Sequence, residues 1–233
     1  MPRNFHETFA AVDELYREGR FKRFGISNYM SWEVAHIVGL CETNGWIKPT
    51  AYQGIYNALH RNVEPELFPC LRKFGISFYE FKPLAGGLFT GRYSSLDMQV
   101  DKGSRFDLAT GQGQGYRKRY FNDHYFDALA LIEPVAKKNN LSMCEVALRW
   151  INHHSLLKRE HGDQILIGAS SNSDLESNLV DLEKGPLPEE VAKILDEAWE
   201  IVRPVATKVS DIGGTEFEQM LMAQVASVNG FCH

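Results

Sequence analysis

Four places in the chain set amides, hydroxyls or an aromatic ring directly after a short apolar run: Ser27-Asn28, Gln53, Phe81-Lys82-Pro83 and Gly168-Ala169-Ser170-Ser171. Serine, asparagine and glutamine offer hydroxyl and amide groups suited to reading a carboxamide, and without a base they are poor nucleophiles. A ring such as Phe81 offers a flat face on which another ring can stack. Each has a plainer reading, with Ser27 and Asn28 as helix caps and Phe81 as core. Four runs ending alike favour binding over coincidence.

Two further stretches suit phosphate. The run Leu84-Ala85-Gly86-Gly87-Leu88-Phe89-Thr90-Gly91-Arg92 is rich in glycine and ends in a cation. Backbone N–H groups beside glycine can approach a pyrophosphate, and Arg92 can pair with it. It is neither a Walker A loop nor GxGxxG, and taken alone it reads as a turn. Ser170 to Asn178 opens a helix with hydroxyls and N–H groups, a natural phosphate site and equally an ordinary N-cap.

The elements that must position these groups alternate. Short strands are expected at 22–26, 50–53, 76–81 and 164–169, and helices at 5–18, 63–74, 124–138, 142–153, 173–183 and 188–202. A further helix, capped by Ser31, carries Val34, Ile37, Val38 and Cys41 on one face. Residues 84–119 read as irregular. Alternating strands and helices predict an α/β fold with a parallel sheet and right-handed crossovers. Ligands in such parallel barrels bind at the carboxy ends of the strands. One domain, 1–207, is expected, with 208–233 as a carboxy-terminal tail.

The bulk properties exclude several classes. The 233 residues carry a net charge of −5, which gives no electrostatic reason for nucleic acid or an anionic membrane as partner. No apolar run approaches the roughly 20 residues of a membrane helix, and the first residues lack a secretory signal's apolar stretch. Cys41, Cys70, Cys144 and Cys232 share no metal-type spacing, so free thiols in a reducing cytoplasm are expected and no metal. Neither His153-His154, on a helix, nor His60, His124 and His161, read as loop residues, has a carboxylate partner evident by spacing.

The motifs GISN (25–28), PTAYQGIYNAL (49–59), ELFPCLRKFGISFYEFKPLAGGLFTGRY (66–93) and ILIGASSNSDLESNL (165–179) resemble the aldo-keto reductases, in order and spacing. The branch they most resemble is that of the aflatoxin-aldehyde and succinic-semialdehyde reductases, and the likeness covers about 5–202. The resemblance implies a partial (β/α)8 TIM barrel, its carboxy-terminal four strands with their helices. It implies NADPH-dependent reduction of a small-molecule aldehyde or ketone in the cytoplasm, in secondary metabolism or detoxification. By the resemblance, Ser27, Asn28 and Gln53 hold the nicotinamide carboxamide and Phe81 its ring. Lys82, Pro83, Leu84, Ala85, Gly86, Gly87 and Arg92 hold the pyrophosphate, with Arg105 nearby. Gly168, Ser170, Ser171, Asp174 and Asn178 hold the adenosine end. Tyr116 and Arg119 match a substrate-side loop.

Three departures follow. The family's catalytic Asp, Tyr, Lys and His lie before the equivalent of residue 1 and have no counterpart here, so no catalytic residue is assigned. Asp174 puts an anion where the family has an uncharged or cationic side chain, which weakens the case for NADPH over NADH. Lys82 replaces a small polar residue and adds a cation near the phosphates. Three readings stand: a reductase sequence truncated at its amino end, which is preferred; a short nucleotide-binding or regulatory product without activity; and a homodimer of half-barrels with a rebuilt site.

Overall fold

A computed structural model describes residues 4–208. The expected tail lies, apart from Lys208, outside the described residues, as does Cys232.

Four strands, β1 (Gly25–Ser27), β2 (Ala51–Ile55), β3 (Ser77–Phe81) and β4 (Gln164–Leu166), form one sheet in the order β1-β2-β3-β4. Every pairing is parallel, as the alternation of elements requires. α1 (Phe5–Arg17) precedes β1, and between the strands run α2 (Ser31–Asn44), α3 (Leu67–Phe74), a 3-10 turn (Ala85–Thr90), α4 (Gly111–Tyr120), α5 (Asp123–Lys138) and α6 (Met143–His153). After β4 come α7 (Asn172–Glu183) and α8 (Glu189–Val202).

The period-2 alternation of a strand sends neighbouring side chains to opposite faces. Tyr52 and Phe78 are fully buried, side by side in register, with stacked rings 5.7 Å apart. Tyr56, Phe68 and Trp150 extend this aromatic layer among the helices. The other face carries one row across the sheet, Ser27↔Gln53↔Tyr79↔Gln164, and a second two residues further along, Ile55↔Phe81↔Leu166. Ser27, Gln53 and Phe81 are only half-buried. Gly54 is held to glycine by packing, since a Cβ there would lie 2.8 Å from the Phe78 ring.

Several boundaries differ from expectation. β1 begins at Gly25 rather than 22, so Ser27 is its last residue. β4 stops at Leu166, and Ile167-Gly168-Ala169 leave the sheet. Helix α3 starts at Leu67, not 63. Ser31 is the first helical residue of α2 rather than its cap: the Met30 N–H donates to Glu33 Oε2 at 2.7 Å. The stretch 84–119 is not irregular throughout. It contains the 3-10 turn and α4, whose start is capped by Thr110 Oγ1 accepting from Gly113 N at 2.9 Å. Three glycines in GQGQGYRKRY oppose helix; packing of Tyr116 and Tyr120 against Phe106 outweighs them. His124 lies in the first turn of α5 and His161 in a short 3-10 turn, Arg159–His161, not in open loops.

A candidate dinucleotide cavity

Beyond β3 the backbone takes an unusual path. Lys82, Ala85, Gly86 and Gly87 all have positive φ, at 67°, 49°, 71° and 107°. Two of the four bear side chains, so surrounding contacts must hold this conformation. One is visible: Asn57 Nδ2 donates to the Lys82 carbonyl at 3.0 Å. Gly86 is bound to its identity twice, by φ and because a methyl there would overlap the Tyr116 ring. Turns of this kind suit an anion where they leave backbone N–H groups facing the concavity; here the Ala85 and Gly87 N–H groups close the turns, donating to the Lys82 and Leu84 carbonyls at 2.9 Å each.

The concavity is part of a cavity of about 810 Å³. Its wall joins Phe81 and the loop from Lys82 to Gly87 on one side with Gly168, Ser170, Asp174 and Asn178 on the other. Four cations line it, Lys82, Arg92, Lys102 and Arg105, against two carboxylates, Asp101 and Asp174. The Lys82 ammonium sits 4.4 Å from the Tyr116 ring centroid and 5.4 Å from that of Phe81, a cation–π arrangement at the cavity mouth. Ser171 caps α7, its Oγ accepting from Asp174 N at 3.1 Å, and Ser170 Oγ donates to Asp174 Oδ2 at 2.7 Å. Those hydroxyls, Ser170 foremost, with Arg92 further off, hold the Asp174 carboxyl below its ordinary range.

The strand-end residues are placed by register. Ser27 and Gln53 are directly paired in the sheet, on the face that carries Phe81 two residues further along β3. They do not line the 810 Å³ cavity, which ends at Phe81 on this side. Asn28 is buried in the left-handed conformation (φ 58°). Ser27 Oγ is buried without a hydrogen-bond partner among the described residues. Ala85 is fully buried beneath the loop, contributing backbone and packing.

Tyr116 and Arg119 part company. Both lie on α4, a helix rather than a loop. Tyr116 lines the cavity, whereas Arg119 is buried outside its wall, with its guanidinium 5.9 Å from the Tyr120 ring. Arg119 instead acts on two buried neighbours, His60 and Tyr120. Burial, then Arg119 and Lys82, depress the His60 imidazole to about 3. Burial pushes the Glu80 carboxyl well above its usual value, and its two oxygens have no partner among the described residues. Asp101, Lys102 and Cys144, also on the cavity wall, were not singled out from sequence. The fragment Asp101-Lys102-Gly103 falls within the stretch read as irregular, and nothing in its spacing points to a wall.

The described residues contain no cluster of three or more His, Cys, Asp or Glu that could hold a metal ion. Cys41, Cys70 and Cys144 are free thiols. No described helix is long and apolar enough to cross a membrane.

Residues 2–200 match the model of the aldo/keto reductase family. The chain belongs to that family. It is similar to an aldo-keto reductase of Pseudocercospora fijiensis, 53% identical over 199 residues. It is 50% identical over 202 residues to the aldo-keto reductase pigE of Monascus ruber. It is also 46% identical over 200 residues to aflatoxin B1 aldehyde reductase member 2 of Homo sapiens. These matches take in 85%, 85% and 84% of this chain but 67%, 59% and 56% of the three relatives. That family is one of oxidoreductases.

Proposed function

We propose that this chain binds a reduced nicotinamide dinucleotide in the cavity beyond β3 and serves the NAD(P)H-dependent reduction of small aldehydes or ketones. The observation that carries the reading is the cavity itself. It brings an aromatic face, a loop of four positive-φ residues and a capped helix start onto one wall lined by four cations. A dinucleotide needs that set in that order: a ring contact, a pyrophosphate cradle and a polar adenosine end. The buried Ser27 Oγ without a partner among the described residues fits a carboxamide group beside Phe81.

In this reading Ser27, Asn28 and Gln53 orient the carboxamide, and Phe81 sets the tilt of the ring. Lys82, Arg92, Arg105 and the loop from Lys82 to Gly87 hold the phosphates, while Ser170, Ser171, Asp174 and Asn178 meet the adenosine ribose. Tyr116 walls the substrate side. Arg119 supports that helix from behind. When bound, the cofactor supplies hydride to a carbonyl carbon. The alkoxide so formed needs a proton donor, and by the resemblance that donor is not among residues 1–233. The four-stranded sheet is then the second half of a (β/α)8 barrel, and reduction requires the strands that carry the acid. The cytoplasm, and secondary metabolism or detoxification, are the setting that this reading carries.

The test is a comparison of two proteins. The 233-residue chain and a fusion carrying the amino-terminal half of a related reductase are assayed for NADPH and NADH oxidation with succinic semialdehyde and 4-nitrobenzaldehyde. The fusion should turn over and the chain alone should fall at least about 100-fold short, the smallest usual contribution of general acid catalysis. Turnover of the chain alone near about 1 per second, an ordinary enzyme value, would refute the assignment of the acid to missing strands. Silence of a folded fusion with both cofactors would refute the cavity assignment.

A further inference from the structure

Resting on the dinucleotide reading, we infer that Asp174 makes this cavity select the cofactor whose adenosine ribose bears a free 2′-hydroxyl, NADH, over the one bearing a 2′-phosphate, NADPH. Two observations carry it. Asp174 lines the cavity where the start of α7 meets the loop after β4. Its carboxylate is held there by Ser170 Oγ, which donates to it at 2.7 Å, while the Asp174 N–H donates to Ser171 Oγ at 3.1 Å.

The chemistry then discriminates by charge. A ribose 2′-hydroxyl donates to a carboxylate, a charge-assisted hydrogen bond stronger than a neutral one. Dinucleotide sites of other folds use a carboxylate for this purpose, and an arginine where the 2′-phosphate is to be accepted. A 2′-phosphate carries roughly −1.5 to −2 charges near neutral pH. It would find an acceptor where it needs donors, and a like charge at the same time. Lys82 does not reverse this preference. Its ammonium lies over the rings of Phe81 and Tyr116, beside the loop assigned to the pyrophosphate, a group that both cofactors carry.

The experiment is a titration of the whole chain with NADH and with NADPH, read by nicotinamide fluorescence and by calorimetry. Asp174→Asn and Asp174→Arg are measured alongside it. The unaltered chain should bind NADH at least tenfold more tightly than NADPH. Asp174→Asn should bring the ratio towards unity, and Asp174→Arg should invert it. The readout is a ratio within one protein preparation, so general damage to the fold weakens both ligands and cannot mimic the inversion. Equal affinities in the unaltered chain, tighter NADPH, or a ratio unmoved in Asp174→Arg would each overturn the inference and leave the cavity assignment standing. Binding of neither cofactor would overturn the cavity assignment, and this inference with it.

Discussion

Replacing Asp163 should be strongly destabilising. Asp163 stands just before β4 with its side chain 1% exposed, and its partner Arg72 on α3 is 20% exposed. The carboxylate accepts four hydrogen bonds. Arg72 Nη1 donates to Oδ1 at 2.9 Å and Nη2 to Oδ2, while the backbone N–H groups of Phe78 and Lys158 donate at 2.8 Å each. One side chain thus ties α3, β3 and the turn before β4 together and fixes the register Tyr79↔Gln164. Breaking a buried pair by removing one partner costs about 3–5 kcal/mol. The partial exposure of Arg72 lowers that figure, and the buried N–H of Phe78 left without an acceptor adds about 1–3 kcal/mol. The two effects overlap, so Asp163→Ala should lose about 4 kcal/mol. For a chain of this size each kcal/mol moves Tm by about 2–4 °C, giving a fall of roughly 8–16 °C. Asp163→Asn keeps one acceptor for Phe78 N–H and should lose about half as much. Urea and thermal unfolding followed by circular dichroism measure both. A loss below about 1 kcal/mol for the alanine variant, or an asparagine variant less stable than the alanine one, would refute the reasoning.

Two further outcomes are expected. Burial raises the Glu80 carboxyl, so the native chain keeps that proton to higher pH than the unfolded chain does. The associated stability is complete below the unfolded value of about 4.3 and is lost as pH rises through the raised native value; Glu80→Gln should therefore raise Tm at pH 8 and leave it unchanged at pH 4, as a Tm series across pH checks. Gly86→Ala should weaken dinucleotide binding about tenfold with the helical signal retained, because a side chain at φ 71° costs about 1–2 kcal/mol and must push Tyr116 off the cavity wall; unaltered affinity by fluorescence titration would show that the 82–87 loop does not form the cradle.

What the sequence disclosed, it disclosed through helical spacing, short aromatic or apolar runs, and glycine. The run ISFYEF showed β3 as a short aromatic-rich run bounded by Gly75 and Pro83, and Gly75 ended α3 in the left-handed conformation that ends such helices. The Leu84–Arg92 run pointed to the right loop. Its geometry was hidden, because Lys82 and Ala85 adopt positive φ without being glycine, held there by tertiary contacts such as Asn57 that no local rule encodes. Helix α4 was hidden for the opposite reason: three glycines argue against it locally, and the aromatic cluster around Phe106 that stabilises it is assembled from distant residues. Arg119 shows the limit of reading a role from a matched motif. The motif placed it next to the substrate wall, but only coordinates separate a residue facing the cavity, Tyr116, from one three positions on that is buried outside it.

The hydrogen bond from Asn57 to the Lys82 carbonyl has an evolutionary consequence. The left-handed turn at position 82 is fastened through its backbone, by a residue that lies on a different segment of the chain and is itself fully buried. Loop shape and side-chain identity at this position are thereby inherited separately. A lineage can exchange a small polar residue for a lysine at the mouth of the cavity, changing its charge, without renegotiating the fold. Directed evolution of cofactor or substrate preference can draw on the same separation: position 82 is the place to randomise, and Asn57 the residue to leave alone.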